Sequence, residues 1–239
     1  MAYLDECDVE EADIKLFEKL GYKHIDAWKH QLIGREKLKD VVLKDRLEIA
    51  LKELNRSLPQ SCIDDAIVEL TKSRASLSEI EANQEIYKLI KDGVRSSFVN
   101  AEGKDEESIV KVIGFDTDEK NDFLVVSQLT IEYLSSTGNR RPDLILYVNG
   151  LPLVMLELKN ATIKIKTGFD DNLQTYRRDI PQLFYYNLFV GISNGIQTRL
   201  GSFNSPWEHF FTWAKLEDNT ANHEQDSIMK IEEKSIVEE

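Results

Sequence analysis

The sequence predicts an α/β domain, and three observations carry that prediction. Apolar stripes at helical spacing run through the first hundred residues. From about residue 105 onward the segments are rich in β-branched and aromatic residues. An Asn149-Gly150 pair sits between two apolar runs, which is a strong hairpin signal. The chain of 239 residues is 41% hydrophobic and 31% charged, enough to bury a sizeable core.

The helical part comes first. Ile14, Phe17 and Leu20 form a stripe that Gly21 stops. Leu43, Leu47, Leu51 and Leu54 predict a second helix ending near Leu58-Pro59. Ile63, Ala66, Ile67 and Leu70 predict a third, and Ile80 through Ile90 a fourth, closed by Asp92-Gly93. These stripes are core packing and carry no chemistry.

The strand-rich part follows. Ser108–Phe115 and Phe123–Tyr133 are predicted strands. In RPDLILYVNGLPLVMLELKN both apolar runs are apolar on both faces, so this hairpin is expected at the centre of a sheet covered by helices. A polar helical stretch runs from about Asp170 to Asp179. Phe184–Ile192 is a further predicted strand, Ser193-Asn194-Gly195 a turn, and Gln197–Leu200 a short strand. Trp207–Trp213 predicts a closing amphipathic helix. Residues 217–239 hold eight acids and two lysines with no aromatic residue, so an acidic tail or linker is expected there, after a domain spanning 1–216.

Several classes are excluded. No apolar run approaches the ~18–20 residues of a membrane helix, and the acidic N-terminus lacks a signal pattern, so no membrane partner and a cytoplasmic location are expected. Cys7 and Cys62 are far apart and without CxxC spacing, which fits a reducing compartment. His24, His30, His209 and His223 lack HExxH spacing. There is no GxxxxGK[ST], GxGxxG or GxSxG. Ser108-x-x-Lys111 opens a strand-like run rather than a helix, so it is no penicillin-binding nucleophile.

The net charge of −13 argues against a generic nucleic-acid coat. Its distribution is uneven, however: residues 139–200 carry eight Lys/Arg against five Asp/Glu. One basic segment lies within an acidic protein, and local potential steers a ligand more than the total does.

The chemistry concentrates at Pro142-Asp143 and Glu157-Leu158-Lys159. Strand interiors avoid charge, yet Glu157 and Lys159 interrupt an apolar run, and two residues apart they share a face. Whether Asp143 joins them depends on register. A two-residue Asn149-Gly150 turn sets Asp143 opposite Leu156 and leaves Glu157 on the other face. A three-residue loop sets Asp143 opposite Met155, with Glu157 diagonally adjacent on the same face. A bulge near Pro152 has the same effect. Two carboxylates and a main-chain carbonyl suit Mg²⁺, and a nearby lysine suits a phosphodiester under attack by metal-activated water.

With these residues in view, the chain resembles the PD-(D/E)xK nuclease superfamily. More closely, it resembles the N-terminal nuclease domain of the restriction (motor) subunit of type I restriction-modification enzymes. The resemblance covers roughly residues 10–215. It rests on Leu20-Gly21-Tyr22, the hairpin, the following amphipathic helix, Ile180–Asn187 and Ser193–Gly195. It implies a restriction-endonuclease-like fold, a mixed central β-sheet flanked by helices, with a mainly helical N-terminal part.

The resemblance also implies roles. Asp143 and Glu157 are the expected metal ligands and Lys159 the catalytic lysine. The family's Gln-x-x-x-Tyr motif falls on Asn172 and Tyr176, with Asn in place of Gln, and is expected to contact the DNA backbone. Arg177 and Arg178, with Lys164 and Lys166, are candidate phosphate contacts. An additional acid on the first helix is Glu10 or Glu11. The implied cofactor is Mg²⁺, with Mn²⁺ as substitute. ATP serves only a motor region outside this chain. The implied partners are double-stranded DNA and the methylation and specificity subunits. Two other readings stand beside this type I site-specific deoxyribonuclease: a non-catalytic assembly module of the restriction complex, and a repair or junction nuclease of the same superfamily.

Overall fold

The computed structural model describes residues 5–30, 32–116 and 120–213, and the backbone of 216–217 and 230–231. Helix α1 (Glu6–Lys19) opens on a capping box in which Asp5 and Asp8 each accept the other's main-chain N–H, at 2.9 and 3.0 Å. Helices α2 (Lys44–Leu54), α3 (Gln60–Thr71) and α4 (Glu79–Asp92) bury the expected stripes, Leu47 and Leu51, Ile63, Ala66 and Leu70, and Ile86 and Ile90 among them. Helix α4 starts on a Ser78–Glu81 capping box and ends at Gly93, whose φ of +80 suits glycine.

The strands are β1 (Lys23–Asp26), β2 (Val94–Val99), β3 (Asp105–Val110), β4 (Phe123–Ser127), β5 (Ile131–Glu132), β6 (Asn139–Arg140), β7 (Leu144–Val148), β8 (Leu151–Leu158), β9 (Phe189–Ser193), β10 (Thr198–Gly201) and β11 (Phe211–Thr212). Seven of them form one mixed sheet in the order β1-β4-β7-β8-β9-β10-β11. Strands β1 and β4 pair in parallel, as do β8 and β9, and the other neighbours are antiparallel. The hairpin β7–β8 is therefore central. Its faces carry the core, from Tyr147, Leu144 and Met155 to Leu124 and Ile192, against the helices. No helix among the described residues is long and apolar enough to cross a membrane.

The topology gathers one end of the sheet. The carboxyl ends of β1, β4, β8 and β9 and the amino end of β7 lie together, shown by the pairs Asp26–Ser127, Ser127–Leu144 and Leu158–Ser193. Ligands of open α/β sheets bind at such an end.

Some expectations are corrected. The first hundred residues are not wholly helical. Lys23–Asp26 adds an edge strand to the sheet, and Val94–Val99 pairs with Asp105–Val110 in a ribbon outside it, which displaces the expected Ser108–Phe115 strand. The Phe123–Tyr133 run stops at Ser127, because Gln128 turns to a φ of +56. Strand β9 begins at Phe189, since Phe184, Tyr185 and Tyr186 are buried in an irregular segment. Trp207–Trp213 is a 3₁₀ turn (Trp207–His209) followed by β11, because the open edge of β10 offers main-chain partners that a helix cannot use. The acidic tail lies outside the described residues except at 217 and 230–231, where the backbone of 216–217 pairs with 230–231.

Candidate active site

The hairpin turn is the two-residue Asn149-Gly150 turn, with φ of +53 and +78. Gly150 is required: a Cβ there would stand 2.5 Å from the Leu43 carbonyl oxygen. Near the turn Val148 pairs with Leu151 and Tyr147 with Pro152, but Leu146 pairs with Val154. Leu153 is thus the extra residue of a β-bulge. Beyond it Leu144 pairs with Leu156, so Asp143, one step further, comes level with Glu157 and shares its face. The turn is thus the two-residue form, and the bulge beside Pro152 brings the carboxylates together.

Asp143 is 9% exposed and Glu157 1%. Asp143 Oδ2 accepts the main-chain N–H of Leu158 at 2.7 Å. Lys159 Nζ donates to Glu157 Oε1 at 2.7 Å and to the Leu158 carbonyl at 2.9 Å. Glu6 stands 3.8 Å from the same ammonium. Burial, with Asp143 nearby, pushes the Glu157 carboxyl up to about 8. Burial likewise raises Asp143, although the Leu158 N–H and Lys159 oppose it. Burial works against the Lys159 charge, but Glu157, Glu6 and Asp143 outweigh it and leave its pKa above the ordinary value.

Helix α1 supplies the additional acid. Gln128 Nε2 donates to Glu10 Oε2 and, at 3.4 Å, to Asp143 Oδ1. Glu10 is thereby joined to the cluster, and its pKa is raised by burial, with Asp143 adding to the effect. Glu11 points away and pairs with Lys15 at 2.8 Å. The spacing held this distinction, since Glu6, Glu10, Asp13 and Phe17 recur at helical intervals along one face while Glu11 does not. Gln128 carries no mark in the sequence; its left-handed backbone at the strand end is a conformation that non-glycine residues seldom adopt.

The segment after the hairpin begins as a π-helical turn, Gly168–Leu173, and continues as α5 (Gln174–Asp179). Such turns are rare and often stand at functional sites. A Cβ on Gly168 would come within 2.9 Å of Ile192 Cγ2 and 3.4 Å of Glu157 Cγ, so glycine lets this turn lie against the acid. Tyr176 is 6% exposed. Its hydroxyl interacts with Asn172 and lies near Glu157, and burial with the Glu157 charge raises its pKa. Gln174 is exposed. Arg177 is joined to Glu79 at 3.4 Å and Arg178 to Asp179 at 2.8 Å, so neither guanidinium is presented free. Lys166 pairs with Asp170 at 2.7 Å, and Lys164 is exposed.

Glu157 Oε2 is buried without a hydrogen-bond partner. An orphaned carboxylate oxygen, Asp143 and the Leu158 carbonyl make a set of hard donors that suits a small divalent cation. Among the described residues no group of three or more His, Cys, Asp and Glu side chains forms a metal site. An ion here would therefore keep several waters, as Mg²⁺ does. A cleft of about 230 Å³ lined by Lys39, Lys72, Arg74, Gln182 and Tyr185 contains none of these carboxylates.

The family model described as type I restriction enzyme R protein N terminus matches residues 3–209. The HindI type I restriction enzyme endonuclease subunit of Haemophilus influenzae is 34% identical over 222 residues, 90% of this chain and 21% of that protein. A Methanocaldococcus jannaschii protein assigned by name to the MjaIXP type I restriction enzyme endonuclease subunit is 32% identical over 219 residues, 88% of this chain and 20% of that protein. The chain spans about a fifth of the length of these relatives.

Proposed function

The chain belongs to the family of type I restriction enzyme R protein N termini, and on that premise we propose that it is the Mg²⁺-dependent DNA endonuclease domain of such an R subunit. The observation that carries the proposal is the Asp143–Glu157–Lys159 cluster, held at a sheet end with one carboxylate oxygen unpartnered. Asp143, Glu157 and the Leu158 carbonyl would hold the ion, with Mn²⁺ as a substitute. When bound, it lowers the pKa of a coordinated water and offsets charge on the phosphodiester.

The chain's own residues do the rest. Lys159, free to leave Glu157 for an ion or a phosphate, orients the attacking water or holds the scissile phosphate. Gln128 steadies Asp143 and brings Glu10 to the rim. Tyr176, set by Asn172, faces Glu157 and the DNA backbone. The nuclease unit would occupy residues 1–216. Double-stranded DNA is the substrate, and the methylation and specificity subunits are reached through a longer R subunit. ATP serves the motor part of such a subunit, for which this chain has no nucleotide-binding loop. The proposed location is the cytoplasm.

Calorimetric titration with Mn²⁺ or Mg²⁺ of the chain beside Asp143→Ala and Glu157→Ala tests the proposal. One site that either variant loses is the expected result. Three identical weak titrations would replace the nuclease with the assembly-module reading. Co-purification with a methyltransferase separates restriction from repair.

A further inference from the structure

The loop after β1 and the residues before β7 meet at the site end of the sheet. There the guanidinium of Arg141 lies over the indole ring of Trp28, 4.0 Å from its centroid. Trp28 keeps 61% of its surface exposed. Its main-chain N–H donates to Asp26 Oδ1 at 3.0 Å, and the main-chain N–H of Ala27 beside it donates to the Ser127 carbonyl at 3.0 Å. Ser127 immediately precedes Gln128, and Arg141 stands two residues before Asp143. The stack is thus anchored on both sides to neighbours of the carboxylate cluster. Neither side chain contributes to the core or caps an element, and Arg141 has no ion pair among the described residues.

We propose that Trp28 and Arg141 form a stacking platform for one unpaired base of the DNA strand at the site, so that the site takes a strand that has been opened or distorted rather than smooth duplex. The inference deepens the nuclease reading and rests on it. An exposed indole face stacks on a base only when that base has left its own stack. Stacking tolerates any sequence because every base has a π face. The guanidinium adds cation–π attraction and a positive charge for phosphate, in a chain whose net charge of −13 offers little general attraction for DNA.

The experiment titrates the chain with oligothymidine at low salt in EDTA, following labelled-oligonucleotide anisotropy and tryptophan fluorescence, beside a blunt duplex of the same length. Oligothymidine should quench the fluorescence, and the duplex should not. Trp28→Phe should lose the quench yet still bind. Trp28→Ala and Arg141→Ala should bind about tenfold more weakly, within the range of one base–aromatic stack. Both positions are exposed, and unchanged thermal melts would show the variants folded. Oligothymidine that does not bind, or that binds Trp28→Ala as tightly as the parent chain, overturns the platform. So does a duplex that depends equally on Trp28. No metal is present, so the outcome is separate from that of the carboxylates. Trp28-dependent binding beside a failed metal titration would overturn the nuclease reading instead.

Discussion

Asp143 reaches across the hairpin to accept the main-chain N–H of Leu158 at 2.7 Å. That contact exists because Leu153 is bulged out of the pairing. Without the bulge Asp143 would stand opposite Leu156, and Glu157 would face the other side of the sheet. One unpaired residue, ten positions from Asp143, thus decides whether the two carboxylates meet.

The pH dependence of metal binding follows from Glu157. Its pKa is raised to about 8, so the folded chain holds a proton there that an ion must displace. Affinity for Mn²⁺ should rise with pH, by up to about tenfold per unit, and level off above about 8. Calorimetry in buffers of different ionisation heat should find a proton released below that pH. A flat affinity between pH 6 and pH 8 would contradict the assignment.

Stability should move the opposite way. A carboxyl raised in the folded state contributes stability that is full below its unfolded pKa of about 4.5 and is lost as pH rises through about 8. Glu157→Gln removes the buried charge, so at pH 8 it should melt several degrees above the parent while binding no metal. At pH 5 the two should melt alike. A variant destabilised at both pH values would show that the acid is held ionised.

Lys159→Ala should abolish cleavage in the assembled enzyme, by about 10²-fold or more, with the fold intact. It also removes the cation 2.7 Å from Glu157 Oε1, so metal affinity should be kept or rise, because the lost positive charge favours a divalent ion more than a competing proton. Normal cleavage by this variant would mean that the site is wrong.

Gln128 joins Glu10 to Asp143 from a backbone φ of +56. Gln128→Gly relieves that backbone and deletes the bridge. Denaturant melts should match the parent or exceed it by about 1 kcal/mol. Metal affinity should drop about tenfold, as for other groups that orient ligands. Metal binding unchanged in this variant and in Gln128→Ala would remove the bridge from the site.

Tyr176→Phe keeps a buried ring and loses only the hydroxyl near Asn172 and Glu157. Cleavage by the assembled enzyme should fall about tenfold or more, with the melt within about 1 kcal/mol of the parent. Asn172→Gln, which restores the residue type of the resembled motif, should cut as the parent does. Asn172→Ala should behave like Tyr176→Phe, and the two together should cost little more than either alone.

Much of the architecture is legible in residue order. Helical stripes locate α1 to α4, since a buried helix face must repeat at its own period. Asn149-Gly150 locates the turn, because both positions need positive φ. Charges inside an apolar run single out Glu157 and Lys159, since ions are kept from strand interiors unless they have a task.

Three features lie beyond that kind of reading. The register of LPLVMLEL carries no local mark, because residues apolar on both faces leave strand parity to packing against neighbouring strands. Edge strands such as β1 and β11 take their hydrogen bonds from β4 and β10, so short polar or aromatic segments become strands only where a partner edge is open. Gln128 and Gly168 reach the carboxylates from other parts of the chain, and chain folding alone makes them neighbours. Composition and period thus specify which elements form and which residues carry charge. Long-range pairing specifies which of those residues face one another, because that choice depends on contacts no local window contains.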